Sequence, residues 1–494
     1  MEALGKPLSR RSLLLAGGAV AVGAAAPFYR STAAAVVQRR LVAAPGQAPL
    51  AGEGYKQTSV WCYDGAVPGP EIRLRQGERL RVVVENKLPE DTTVHWHGVR
   101  VPNAMDGAPY VTQPPIPPKG SFTYEFTVPD AGTYWYHPHA HSAEQVGRGL
   151  MGAFIIEEPE PPAVDRDVVW VLGDFRLRED ASIVGGFDNR MEMSMAGRVG
   201  NTVTINGGVP ERFAVRSGER IRLRLINAAA ARIFDLEFRG HRPLVVALDG
   251  QPVEPHEPEG GRAVLGPAMR SDLVLDMTGA PGSAVAVIDS FYERLAYRLV
   301  DLAYSDEAPL RPKPLPPPRA LPANTSPEPD IAHAERHDVT LTGGMMGGMG
   351  MGMGGMMGNG GMMGGMMGNG GMGGMGGGMM GGGSMWAING VAVPGDDMAH
   401  MKPILTLSRG KSYVLAIKNE TAWYHPIHLH GHSFRVITRN GRPTTYREWR
   451  DTVLMPPRER AEIAFVADNP GDWMFHCHIL DHQEGGMMSV IRVT

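Results

Sequence analysis

The chain has 494 residues with 48 Lys and Arg against 52 Asp and Glu, a net charge of −4 that excludes a strongly basic nucleic-acid binder. Hydrophobic residues are 43% and charged residues 20%, enough to bury a core, and at about 150 residues per domain the length suggests roughly three domains. Two cysteines, Cys62 and Cys477, rule out a disulfide framework and a cysteine-based zinc module, while 17 His point to imidazole chemistry.

At the N-terminus, Ser9-Arg10-Arg11-Ser12 precedes an apolar, small-residue run from Leu13 to Ala26, which ends in Ala24-Ala25-Ala26, with Ala33-Ala34-Ala35 beyond it. Basic, then apolar, then small is the order of a secretory signal, and the paired arginines are similar to a bacterial twin-arginine signal. The run is shorter than the ~20 residues of a membrane span. Residues 1–35 are therefore expected to be an export and processing region, and the mature protein periplasmic, or secreted, with no span.

From about residue 45 the chain reads as short β-rich runs punctuated by Gly, Pro and Asn, such as Arg79–Val84 and Arg220–Leu225. This is the pattern of an all-β sandwich or barrel. A repeat shows in the spacing. Gly77 to Asn86, Gly218 to Asn227 and Gly410 to Asn419 each bracket a strand-like run of equal length. At one fixed step beyond these Asn lie His95-Trp96-His97-Gly98, then Leu236-Glu237-Phe238, then His428-Leu429-His430-Gly431. Likewise Gly132 precedes His137-Pro138-His139, Gly282 precedes Val287-Ile288-Asp289, and Gly471 precedes His476-Cys477-His478. Three β-domains of one design are expected, over 45–160, 161–308 and 333–494, with a Pro-rich linker at 309–332 and short linker prolines at Pro159–Pro162. The middle copy keeps the scaffold without the histidines. The excess length before the third copy is mostly a tract at 343–385 that holds 24 Gly and 16 Met.

Alternate residues of a strand face one side, so each His-x-His aims both rings at one site. Four such pairs, His95/His97, His137/His139, His428/His430 and His476/His478, are too many for one ion and suit a cluster shared by repeats one and three. Repeat three adds His425, Cys477, His482 and Met487. Two imidazoles, a thiolate and a distant thioether describe a blue-copper electron-transfer site. Cys477 is covalently adjacent to two cluster histidines, which gives an electron a short through-bond path.

At these motifs, with Trp135-Tyr136-His137-Pro138-His139 and His425-Pro426-Ile427-His428, the chain resembles the multicopper oxidases, the laccase and cuprous-oxidase family, over roughly residues 50–494. The resemblance implies three cupredoxin-like Greek-key domains and four copper ions. It implies type 1 copper on His425, Cys477 and His482 with Met487 axial, type 2 copper on His95 and His428, and a type 3 pair on His97, His137, His139, His430, His476 and His478. It also implies reduction of dioxygen to water at the expense of a small reductant, either Cu(I) or phenols and aromatic amines, in a monomer. Asp106 sits where the family keeps a proton-relay acid. The second relay acid usually follows the late histidine directly. Here that residue is Gln483, with Glu484 next and Asp481 before, so Glu484 becomes the candidate.

The Met/Gly tract lies just ahead of Trp386-Ala387-Ile388-Asn389-Gly390, where cuprous oxidases of the family carry Met-rich inserts. Soft thioethers suit Cu(I), which favours a role in copper tolerance. The alternative is a laccase-like phenol oxidase in which the tract is incidental. A third reading, an exported copper-binding scaffold without catalysis, fits poorly with a full ligand set. Cuprous oxidases tend to place Asp and Met just ahead of the first type 1 histidine. This chain has Thr421 and Trp423 there, which leaves Asp396, Asp397, Met398 and Met401 as substitutes. Cys62 reads as a lone buried thiol. His141 and His432 read as lying behind the ligands or in solvent, and His333 and His337 as facing solvent. Arg212, Arg216, Arg220, Arg222 and Arg224 read as solvent positions of domain-two strands.

Overall fold

A computed structural model of the chain describes residues 36–313, 315–345, 385–393, 395 and 398–494. The expected signal region, most of the Met/Gly tract, and Asp396 and Asp397 lie outside the described residues. No helix among the described residues is long and apolar enough to cross a membrane.

Among the described residues six sheets form three pairs, one pair per repeat. Each repeat builds its first sheet in one way. The strand bracketed by the repeated Gly and Asn pairs parallel with the strand that opens the domain and antiparallel with a later one. In domain one, Arg79–Asn86 lies between Val36–Ala48 and Ser121–Thr127. In domain two, Arg220–Asn227 lies between Arg166–Phe175 and Arg270–Asp276. In domain three, Ser412–Asn419 lies between Glu335–Gly343 and Arg460–Val466. The first strand starts at Val36, so the sheet of domain one begins ahead of residue 45.

The repeated residues have a common physical task. Gly77, Gly218 and Gly410 turn the chain at φ of +85°, +77° and +80°, a region that costs a side chain energy. Asn86, Asn227 and Asn419 are buried. Each side-chain carbonyl accepts from the backbone N–H two residues on, at 2.9–3.0 Å, in an Asx turn. Each amide donates to two or more loop carbonyls, which pins the crossing from one sheet to the other.

The second sheet of each domain carries the positions where ligands are expected. His95 faces His137 across an antiparallel pair, and His428 faces His476. In the middle domain Leu236 faces Asp289, and Val287 pairs with Phe238. The expected equivalence of Gly282 with Gly132 and Gly471 therefore fails by two residues. Gly282 sits in a turn before its strand, whereas the other two open theirs. Each domain encloses its own apolar core between its two sheets, built around Trp96, Tyr134 and Phe126, around Leu223, Phe234 and Leu273, and around Ile427, Trp473 and Phe475.

One expectation about exposure is corrected. Arg220, Arg222 and Arg224 do not face solvent: they are 4%, 0% and 1% exposed. Alternation does put them on one face, but domain one covers that face at Arg222 and Arg224, and the Pro-rich segment covers it at Arg220. Arg222 forks onto Glu158 and Asp272, and Arg224 onto Asp167 with a further bond to Thr133. The Pro-rich segment, for its part, is docked along the surface. Its Asn324 exchanges two hydrogen bonds with the backbone of Ala131, Pro316 accepts from Arg220, and Leu321 is buried against Val246 and Val274.

Candidate metal centre

Strand alternation builds the site. In His95–His97 the indole of Trp96 enters the core of domain one, so both imidazoles point the other way. In Gly471–Cys477 and the residue after it, Trp473, Phe475 and Cys477 face the core of domain three, and His476 and His478 face domain one. The eight histidines of the four pairs come together across the interface of domains one and three, all at most 2% exposed. The rings of His95 and His430 stack at 3.9 Å, and those of His97 and His428 at 3.8 Å, each stack joining the two domains.

Hydrogen bonds decide which ring nitrogen is free. His95 Nδ1 donates to the carbonyl of Asp106 at 2.7 Å, and His428 Nδ1 to that of Asp451 at 2.8 Å. Their Nε2 atoms are buried without a partner. His139, His430 and His476 aim Nε2 atoms at one another, with His476 3.3 Å from His139 and 3.0 Å from His430. His137 and His478 face each other through Nε2 at 3.3 Å. His97 is turned round: its Nε2 contacts Asp451 and Thr452 at 3.2 Å, and its Nδ1 is the buried, unpartnered atom. Burial, then the neighbouring imidazoles, hold His137, His139, His430, His476 and His478 well below the usual histidine range, so the rings are neutral donors. Converging neutral imidazoles with orphaned nitrogens fit a cluster of metal ions.

On the other face of the same strand, His425 Nδ1 and His482 Nδ1 lie 3.5 and 3.6 Å from the Cys477 sulfur and 3.1 Å from each other. All three are fully buried. The outer nitrogens are tied down, His425 Nε2 with the Thr421 hydroxyl at 2.8 Å and His482 Nε2 to the carbonyl of Met195 at 2.7 Å. Burial pushes the His482 imidazole down to about 3 and the Cys477 thiol up. A bound cation is what makes the thiolate favourable here. Met487 is fully buried in the same core. Its N–H is bonded to the His482 carbonyl, and its own carbonyl accepts from Cys477 N–H. Trp386 covers the pocket with its ring 4.3 Å from that of His482.

Asp106 is buried beside the cluster, where its carboxylate accepts from His430 Nδ1 at 2.8 Å. Glu484 is half-buried on the helix Leu480–Glu484 and accepts from the N–H of Ala143 in domain one at 2.8 Å. Gln483 donates to Ser142. Met398 and Met401 pack with Ala108, Met474 and Met488, on the face of the strand opposite Cys477, so they do not border the Cys477 pocket. Cys62 is buried between domains one and two, His141 is exposed, and His432 is buried behind His430, whose carbonyl accepts from it. His333 is exposed, while His337 is half-covered and stacks on Tyr413. Four contributors have no ligand signal in the sequence: Asp451, Thr452, Arg270 and the Met195 carbonyl.

Three family models described as multicopper oxidase match residues 46–161, 166–282 and 379–494, one for each domain. The chain belongs to the multicopper oxidase family. Multicopper oxidase MmcO of Mycobacterium tuberculosis is 30% identical, with 96% of this chain and 90% of that protein covered. Copper resistance protein A of Escherichia coli is 29% identical over 87% of this chain and 88% of its own length, and Laccase-2 of Fomitopsis schrenkii 28% over 90% and 87%. Among solved structures, a multi-copper oxidase from Pseudomonas thermotolerans aligns with TM-score 0.79 and 34% identity over 93% of this chain and all of that one. One from Pseudomonas parafulva aligns with TM-score 0.76 and 38% identity over 92% and 99%. The protein is thus a copper-dependent oxidoreductase with dioxygen as acceptor.

Proposed function

We propose that the protein holds four copper ions and couples one-electron oxidation of a small reductant to four-electron reduction of dioxygen to water. His425, Cys477 and His482 would hold type 1 copper, with Met487 buried in the same core as a further donor, and His95 and His428 would hold type 2 copper. The type 3 pair is held by His97, His137 and His478 on one ion and His139, His430 and His476 on the other. Bound copper supplies the redox chemistry: electrons are accepted singly and spent together on dioxygen. The observation that carries this reading is the division of one strand, with Cys477 on one face and His476 and His478 on the other. An electron accepted at the thiolate is separated from the cluster by a few covalent bonds. Water formation consumes protons. Asp106, already bonded to a cluster imidazole, and Glu484, at the edge of the same interface, are the acids that deliver them.

The reductant we favour is Cu(I), in service of copper tolerance in the periplasm after export, by a single chain that contains every ligand. The ends of the Met/Gly tract support this. Met345 N–H donates to the Ser194 carbonyl at 2.8 Å, Trp423 Nε1 donates to the Met345 carbonyl at 3.1 Å, and Met385 N–H donates to Gly485 at 2.8 Å. Both ends thus sit against the Cys477 pocket, beside Met193, whose carbonyl accepts from Trp386, and Met195, whose carbonyl accepts from His482. With every type 1 ligand buried, no bulky organic touches an imidazole directly. The named copper resistance relative points the same way, and the laccase relative to the second reading, oxidation of phenols and aromatic amines with the tract incidental. Replacing residues 346–384 with a two-residue turn separates them, since the paired strands at its base stay closed. The expected result is slower Cu(I) oxidation with phenol oxidation equal or faster. Unchanged kinetics on both substrates would leave the laccase-like reading standing.

A further inference from the structure

The middle domain supplies no ligand, yet one of its side chains reaches the metal centre. Arg270 is fully buried where the three domains meet. Its guanidinium donates to the Thr133 carbonyl of domain one at 3.1 Å and to the Ala268 carbonyl of its own domain at 3.1 Å. It also forks onto the carboxylate of Asp451 in domain three, with one arm at 2.8 Å. The fit is tight. Gly98, next to His97, has φ +83°, and a Cβ there would lie 2.3 Å from both the Arg270 guanidinium and the Asp451 carboxylate.

Asp451 in turn addresses two imidazoles from two domains. Its carboxylate lies 3.2 Å from His97 Nε2, and its backbone carbonyl accepts from His428 Nδ1 at 2.8 Å. The Thr452 hydroxyl donates to the same carboxylate at 2.8 Å and touches both rings at 3.2 Å. A ring nitrogen that donates to an acceptor must carry the proton, so the opposite nitrogen presents its lone pair. This explains why His97 presents Nδ1 and His428 presents Nε2, the atoms left without a partner.

We infer that Arg270 is a positioning residue of the copper centre: it fixes Asp451, and Asp451 sets the tautomer and orientation of His97 and His428. The inference rests on the proposal that these imidazoles bind copper. It gives the ligand-free domain a role, since the docking of domain two completes the geometry of a site between the other two. Asp249, which accepts from Arg270 N–H at 2.8 Å, holds the strand in register for this contact.

Two variants test it, both as copper-loaded full-length protein. Arg270→Lys keeps the charge and loses the fork. Arg270→Gln combined with Asp451→Asn removes both charges of the pair, leaves the buried Asp249 carboxylate to Arg450 at 3.9 Å, and keeps the proposal testable if the lysine variant does not fold. The readouts are the visible band of the Cys477 site, the electron paramagnetic resonance signal of the type 2 ion, and copper retained against a chelator. The expected result is an unchanged visible band, an altered type 2 signal, and about 10–100-fold weaker retention of cluster copper. Wild-type type 2 signal and retention in a folded variant would overturn the inference. So would parallel loss of both copper signals, which marks a general packing defect. If the wild-type protein itself shows no type 2 signal, the copper assignment fails first and takes this inference with it.

Discussion

Cys477 is the residue on which the two proposed metal sites depend together. Its sulfur faces the core of domain three, and the histidines on either side of it face domain one. Cys477→Ser is expected to abolish the intense visible band and steady-state turnover while copper still loads at the histidine cluster, checked by metal analysis beside the spectrum. A variant that stays coloured and active would refute the assignment of the thiolate. Side-chain identity and spacing made the convergence of these residues legible, because matched pairs of imidazoles at repeat positions have few other uses. The residues behind them were not legible. Asp451 reads as an ordinary loop acid between Arg450 and Thr452. Met195 acts through its carbonyl, which no side chain announces.

At the scale of strands and loops, the repeated Gly and Asn marked the architecture well because each answers a backbone demand that few residues meet. Asn227 shows the cost of losing one. Its amide holds the carbonyls of Arg232 and Leu265 at 2.9 Å, and its own carbonyl holds the N–H of Ala229. Asn227→Ala leaves buried polar groups unpaired and should destabilise the fold by about 1–3 kcal/mol. A lower urea midpoint with the visible spectrum of the folded protein unchanged is the expected result, since domain two carries none of the proposed ligands. An unchanged midpoint would mean the loop has other support. The same alternation that located the histidines misplaced Arg222 and Arg224. A strand pattern states which residues share a face, and only the neighbouring domain determines whether that face is wet. Gly282 misled for a similar reason, because a spacing rule carries no information about where a strand begins.

At the scale of the whole molecule, the fold keeps many imidazoles neutral. Nine of the ten proposed ligand histidines are pushed below the ordinary value, chiefly by burial, with His482 at about 3. An unfolded chain protonates them near pH 6.5. Above that pH they cost the fold nothing. As pH falls below it, the unfolded state takes up protons that the native state refuses, at up to about 1.4 kcal/mol per pH unit for each group. Copper-free protein should therefore lose thermal stability steeply from pH 7 to pH 5, and copper should oppose the loss by binding the native state. A flat profile would contradict neutral, buried rings. The central claim is that electrons taken one at a time at Cys477 are delivered to dioxygen together. Counting reductant oxidised per dioxygen consumed, with peroxide assayed in parallel, tests it most directly. The expected ratio is four, with no peroxide; a ratio of two, with peroxide released, would contradict it.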